Sequence, residues 1–253
     1  MPIYVQAGLW GLVGGSALLV GAAIAYFVTL PPRLVASVMA AGSGVLISAV
    51  AFDLMDEAYK KGGFDSTSLG FLAGAAVYTA ANVYISRQGA HHRKRSGSSP
   101  DKSQQHASEG SGLAIAVGAL LDGIPESVVI GVSLLGGAGV STVTVAAVFL
   151  SNVPEGLSSA AGMRKAGRSA AYIFGIWGTI AVMSGVAALI GNIALAGANP
   201  EIIAATTAVA AGAILAMLAD TMIPEAFETA HEYAGLITVI GFLGAFVLSK
   251  LGG

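Results

Sequence analysis

Eight apolar runs constrain this chain more than any other feature. Each is close to the ~20 residues an α-helix needs to cross a ~30 Å hydrocarbon core. They lie near 5–29, 34–58, 67–86, 112–135, 140–163, 169–195, 202–228 and 234–251. None shows the two-residue alternation of a membrane β-barrel strand, so the pattern predicts an all-α membrane protein with eight transmembrane helices. All 253 residues then form a single polytopic domain. The composition agrees, with 55% hydrophobic and 10% charged residues. The 35 glycines suit helices that pack through small-residue faces. With no cysteine in the chain, disulfides, thiolate metal sites and iron–sulfur clusters are excluded. No nucleophile–base pair and no His-Glu-x-x-His pattern occurs, so no enzyme activity is expected, and nothing points to nucleic acid. The first run begins without a basic segment before it and reads as a retained span.

Pro31-Pro32 closes the first run, because proline cannot continue a helix past its first turn. Lys60-Lys61-Gly62-Gly63 separates the second from the third, and Gly136-Gly137-Ala138-Gly139 the fourth from the fifth. The one long connection, Gln88 to Ser111, is rich in Ser, Gly and basic residues and reads as a flexible loop, with His91, His92 and His106 as loose metal-catching candidates. With the N-terminus outside, the inner loops carry Arg33, Arg87, Arg93, Lys94, Arg95, Lys102, Arg164, Lys165 and Arg168, against Lys60, Lys61 and Lys250 outside. The positive-inside rule then places both termini outside the cytoplasmic membrane and the long loop in the cytoplasm.

Two runs carry acids at their centre. The fourth contains Asp122-Gly123-Ile124-Pro125-Glu126, the fifth Ser151-Asn152-Val153-Pro154-Glu155-Gly156. An ionised side chain at mid-bilayer costs at least ~2.5–3.5 kcal/mol on insertion scales, so such residues usually mark an ion or proton path. Asp122 and Glu126 are spaced i,i+4, as are Ser151 and Glu155, while Asn152 and Glu155 are i,i+3, so each set shares one helix face. Facing each other, these faces would offer three carboxylates, an amide and a hydroxyl, an oxygen-rich cage for a divalent cation. No Lys, Arg or His lies near mid-depth in any run. Three like charges there repel, and a bound dication relieves the repulsion. Metal binding displaces protons, so affinity should fall with pH.

The Ile/Val-Pro-Glu triplet recurs at 124–126, 153–155 and 223–225. Each proline withholds an N–H from the carbonyl four residues back, those of Leu121, Leu150 and Asp220, supplying oxygens and a bend. Asp53, Asp56 and Glu57 in the second run form a candidate entrance. Asp220, Glu225, Glu228 and His231 form a candidate exit from the seventh. The second and seventh runs also echo each other, Phe52-Asp53-Leu54-Met55-Asp56-Glu57-Ala58 against Ala219-Asp220-Thr221-Met222-Ile223-Pro224-Glu225-Ala226. That is the pattern of an inverted repeat relating helices 1–3 to 6–8.

These motifs resemble those of the ZIP (Zrt/Irt-like) metal transporters, most of all the bacterial, GufA-like branch. That family shows His-Asn-x-x-Glu-Gly in its fourth span, where this chain has Asp122 through Ser127. Its fifth span shows His/Gln-Asn/Asp-x-Pro-Glu-Gly, where this chain has Ser151 through Gly156. The segments 51–58 and 220–225 are similar to the family's His-Leu-Leu-Pro-Glu-Ala and His-Glu-Ile-Ile-Pro-Glu. The resemblance implies a divalent-metal permease, zinc being the usual substrate, with helices arranged 3+2+3 and often a homodimer. Three positions depart from the family: Asp122 and Ser151 replace its imidazole or amide ligands, and Gly123 an asparagine. Met183-Ser184-Gly185 stands about where relatives carry a glutamate for a second metal. The intramembrane ligand set is all-oxygen, which suits magnesium, calcium or manganese and, more weakly, ferrous iron, whereas imidazole suits zinc. Among transition metals it points to manganese, iron or cadmium.

The expectation is therefore a secondary carrier moving Zn, Mn, Fe, Co or Cd into the cytoplasm as substrate, with no permanent cofactor. Asp122, Glu126, Asn152, Glu155 and Ser151 are its ligands. The competing readings are a proton-coupled carrier of another small solute and a non-transporting metal-sensing membrane protein.

Overall fold

The computed structural model describes residues 1–87, 109–136 and 142–251. His91, His92 and His106, most of the 88–111 connection and the glycine-rich turn after Gly136 lie outside the described residues. Among those described, the chain is helical throughout and has no strand. Helices α1 (Ile3–Phe27) and α2 (Pro32–Ala49) meet at the Pro31-Pro32 step. A π-helical turn, Val50–Leu54, leads into α3 (Met55–Ile85). Then come α4 (Glu109–Ser133), α5 (Thr142–Lys165), α6 (Ala170–Leu195) and α7 (Pro200–Met217). A second π-helical turn, Leu218–Met222, joins α7 to α8 (Ile223–Ala230), and α9 (Ala234–Leu251) follows. The last three residues of the expected 88–111 loop are already helical.

Four helical stretches among the described residues are long and apolar enough to cross a membrane: Ile3–Phe27, Pro32–Ile85, Ala170–Leu195 and Pro200–Leu251. Two of these run to 54 and 52 residues. A straight helix of that length would extend ~80 Å at ~1.5 Å per residue, well beyond a bilayer core. Both are broken once by a positive φ, at Gly63 (φ 70°) inside α3 and at His231 (φ 48°) after α8. Glycine adopts that region freely, whereas a side chain at the second break carries a steric cost.

Ser169 and Asn199 start the next two helices. The Ser169 hydroxyl accepts the Tyr172 N–H at 3.2 Å, and the Asn199 Oδ1 accepts the Ile202 N–H at 2.9 Å. Both satisfy helix-end donors that lack an intrahelical partner.

Helices meet backbone to backbone where glycine removes a side chain. A Cβ on Gly44 would strike the Thr238 carbonyl of α9, and one on Gly241 that of Ala41. The α3–α7 contact repeats this, with Gly212 against the Phe71 carbonyl and Gly74 against that of Val209. Around α1, Gly8 lies by Leu189 and Gly15 by Ala181, so α1 and α6 run antiparallel. Gly14 lies by Val148 and Gly21 by Leu157, so α1 and α5 run parallel. α1 packs on α5 and α6 and α4 on α6, while α3 packs on α7 and α2 on α9 and α8. α2 also packs on α5 and α4 on α7, which ties these groups together.

Replacing His231 by glycine relieves the left-handed break. His231→Gly is expected to stabilise the protein by roughly 1 kcal/mol, read as a higher midpoint of thermal unfolding in detergent. A lower midpoint would show that the imidazole itself holds the turn.

Candidate metal site

The two proline-bearing helices place their polar residues in the interior. Asp122 (1% exposed), Glu126 (2%) and Ser127 come from α4, and Ser151, Asn152, Glu155 (4%), Ser158 and Ser159 from α5, all buried. From Ser151 to Ala160 only Val153 is less than fully covered, so this stretch of α5 is enclosed on all sides although it is rich in polar groups. A helix polar on one face is stable in an apolar setting only if other protein covers that face.

Small residues allow that covering. Gly156, at the end of the fifth-run motif, faces the Leu18 carbonyl of α1, and Gly21 faces that of Val153. On the other side a Cβ at Gly42 of α2 would come within 2.8 Å of the Pro154 ring. The Leu150–Gly156 motif is thus clamped between α1 and α2, and any residue larger than glycine at 156 would displace α1.

Helix α4 docks elsewhere. Gly131 meets Ala188 of α6, the Asn192 amide donates to the Gly131 carbonyl at 2.9 Å, and Gly123 lies 3.7 Å from the Ser184 hydroxyl, measured from where a Cβ would stand. Both helices continue through Pro125 and Pro154, so the Leu121 and Leu150 carbonyls receive no N–H from those prolines. The two motif helices touch each other only slightly.

Hydrogen bonds orient several of the groups. The Tyr78 hydroxyl of α3 donates to Asp122 Oδ1 at 2.6 Å, across 44 residues of sequence and with both side chains 1% exposed. Asn152 donates its amide nitrogen to the Gly14 carbonyl at 3.1 Å, which turns Oδ1 away from α1. Ser151 donates to the Val148 carbonyl at 2.9 Å and keeps its oxygen as an acceptor. Ser158 donates to Glu225 Oε1 at 3.1 Å, linking α5 to α8 just past the motif.

The outer candidates separate into distinct settings. Asp53 sits in the first π-helical turn and accepts from Ser249 of α9 at 2.7 Å. Asp56 pairs with Lys60 at 2.6 Å and Glu57 with Lys61, both one turn along α3 and partly in solvent. Asp220 lies in the second π-helical turn and is exposed, as is Glu228. His231 is exposed at the turn after α8. Of the exit residues, Glu225 has a described bond to α5, to Ser158 two residues past the motif. Among the described residues no group of three or more His, Cys, Asp or Glu side chains is arranged to hold a metal ion. A cation here would take one or two carboxylates, with amide, hydroxyl and carbonyl oxygens and water completing the shell.

Sequence reading missed Tyr78, Ser158 and Ser249. The i,i+4 pair Tyr78 and Asn82 in an apolar run, and Ser158 three residues past Glu155, were available signals. Ser249 had none, because it approaches Asp53 from 196 residues away.

Compared with known proteins, the chain matches no family model and no curated protein.

Tyr78→Phe removes a buried hydrogen bond to a carboxyl group. Such bonds contribute about 1.5–3 kcal/mol when the acceptor is ionised, so the variant should unfold measurably earlier in a chemical or thermal melt. An unchanged melt would mean Asp122 is held by other groups.

Proposed function

We propose that this protein is a membrane carrier moving a divalent transition-metal ion towards the cytoplasm, in the manner of the ZIP transporters its motifs resemble. The observation that carries the reading is the burial of Asp122, Glu126, Ser151, Asn152 and Glu155 inside an otherwise apolar bundle. A fold built mainly of lipid-compatible helices retains such groups at a cost, and carriage of a cation is the chemistry that uses them.

Eight crossings with inverted halves are part of the proposal, and the helix contacts support them. The parallel α1–α5 pair and the antiparallel α1–α6 pair fit alternating crossings. The reciprocal glycine contacts of α2 and α9, at Gly44 and Gly241, have counterparts in those of α7 and α3, at Gly212 and Gly74. The two π-helical turns, each with an aspartate, fall at matching places in the second and seventh runs. Such turns are rare and cluster at functional sites. Alternating access in this scheme moves one group of helices against another, and the α2–α5 and α4–α7 contacts are where such groups would slide.

In this scheme Asp53, Asp56 and Glu57 attract the ion at the outer end. Asn152, Ser151 and the carboxylates of Asp122, Glu126 and Glu155 coordinate it. Glu225, with Asp220 and His231 beyond it, receives it on the inner side. The oxygen-only set favours manganese or iron over zinc, and a homodimer remains part of the resemblance. One observation favours the rival proton-coupled solute carrier: no three of the described acids stand together.

Uptake into proteoliposomes from a panel of Mn, Fe, Co, Zn and Cd separates the two. Glu126→Gln with Glu155→Gln is expected to lower metal uptake by about tenfold or more, while proton flux without metal would sustain the rival. Binding of Mn to the purified protein should weaken as pH falls, because protons and the cation compete for the same carboxylates. Asp56→Asn, whose side chain is bound to Lys60 at the surface, should leave the maximal rate within about twofold.

A further inference from the structure

A cleft of about 220 Å³ opens where the end of α1, the start of α2 and the last turns of α5 meet. Its walls are apolar, from Val28, Leu30, Val35 and Leu157 among others, and its rim carries Arg164 and Lys165. One N–H of the Arg164 guanidinium donates to the Ala25 carbonyl at 3.0 Å, which anchors the charge over the cleft. Guanidinium has five donors, so this bond still allows the group to grip an anion.

The surroundings match a membrane–water boundary. Arg33, in the first turn of α2, and Arg168, in the α5–α6 connection, lie within three residues of cleft-lining Val35 and Lys165, and Arg168 sits 5.0 Å over the Tyr172 ring. Tyr26 packs edge-on against Phe27 (5.2 Å) and Phe174 (5.5 Å). Aromatic rings with Lys and Arg at helix ends are the usual headgroup-level anchors. The segments that form the cleft, within residues 1–52 and 156–200, contain no Asp or Glu of their own, and α8 brings Glu225 to Ser158, one turn before Ala161.

We propose that this cleft seats one anionic phospholipid, its acyl chain between α1, α2 and α5 and its phosphate on Arg164 and Lys165. An apolar slot continuous with a cationic rim matches the two ends of such a lipid, and a basic pocket between helices on the cytoplasmic side is a recognised way to bind one. The Lys/Arg bias directs this end to the cytoplasmic leaflet, where anionic lipids concentrate. The site lies between α1 and α5 on one side and α2 on the other, so an occupied cleft wedges these helices at their junction. It goes beyond the carrier reading and needs only the membrane setting.

The chain has no cysteine, so Ala161→Cys puts a single thiol in the cleft wall. Its labelling by a maleimide is followed in non-ionic micelles containing phosphatidylglycerol, phosphatidylcholine of the same acyl chains, or inorganic phosphate. Phosphatidylglycerol should slow labelling about tenfold, and neither of the others should match it. Adding Arg164→Gln with Lys165→Gln should erase the protection. Lys165→Gln alone keeps the Arg164–Ala25 bond intact and should weaken protection, with a thermal melt run alongside to confirm that the fold is kept.

Equal protection by phosphatidylcholine would overturn the proposal, as would full protection by phosphate alone or no protection by any lipid. Slowing that grows with protein concentration in the absence of lipid would assign the cleft to a second copy of the chain instead. Labelling does not involve the metal, so a failure here leaves the carrier reading standing, and the reverse also holds.

Discussion

Polar groups inside an apolar helix bundle must be covered by protein, and that requirement governs this architecture. The Ser151–Ala160 stretch of α5 carries an amide, a carboxyl and several hydroxyls, and nearly every one of its residues is enclosed. Covering it this closely depends on backbones touching. Gly156 admits the Leu18 carbonyl, Gly21 admits that of Val153, and Gly42 admits the Pro154 ring. Gly21, Gly42 and Gly156 are therefore tied to the polar core: without close approach by α1 and α2, the motif on α5 would lose its cover. Helix α4 meets the same requirement separately, using α6 for its lower turns and Tyr78 of α3 for Asp122.

Much of the helical plan was legible because bilayer-length apolar runs and proline or glycine breaks are local signals. Pro31-Pro32 and Gly63 act where the sequence puts them, and Ser169 and Asn199 cap the helices that follow. The π-helical turns were not legible. Pro224 gives a reason for the one at Leu218–Met222, since it cannot donate to the carbonyls behind it. The turn at Val50–Leu54 has no proline after it, and Asp56 stands at the matching position.

For the site, the interior placement of Asp122, Glu126, Asn152 and Glu155 followed from their depth in the runs and their i,i+3 and i,i+4 spacing. What spacing could not supply was the neighbour on each face. Two helices each polar on one face need not turn those faces to each other, and α4 and α5 are mostly packed against other helices. Tyr78 and Ser249 reach Asp122 and Asp53 from distant segments, and Asp56 and Glu57 are drawn to lysines one turn along their own helix. Long-range partners of this kind depend on tertiary packing that no local pattern encodes.

The functional reading joins two facts of different kinds: costly groups are buried, and those described are almost all oxygen donors. The first argues for an ion or proton path and the second for a hard or borderline cation. With carboxylates fewer than a three-acid cage would need, the neutral oxygens of Asn152 and Ser151 become as important as the acids.

Anomalous diffraction from crystals soaked in manganese tests the central claim most directly. The account predicts one strong peak in the bundle interior, about 2–2.6 Å from side-chain oxygens of both α4 and α5. A peak confined to surface acids such as Asp56, or coordination by only one of the two helices, would contradict it.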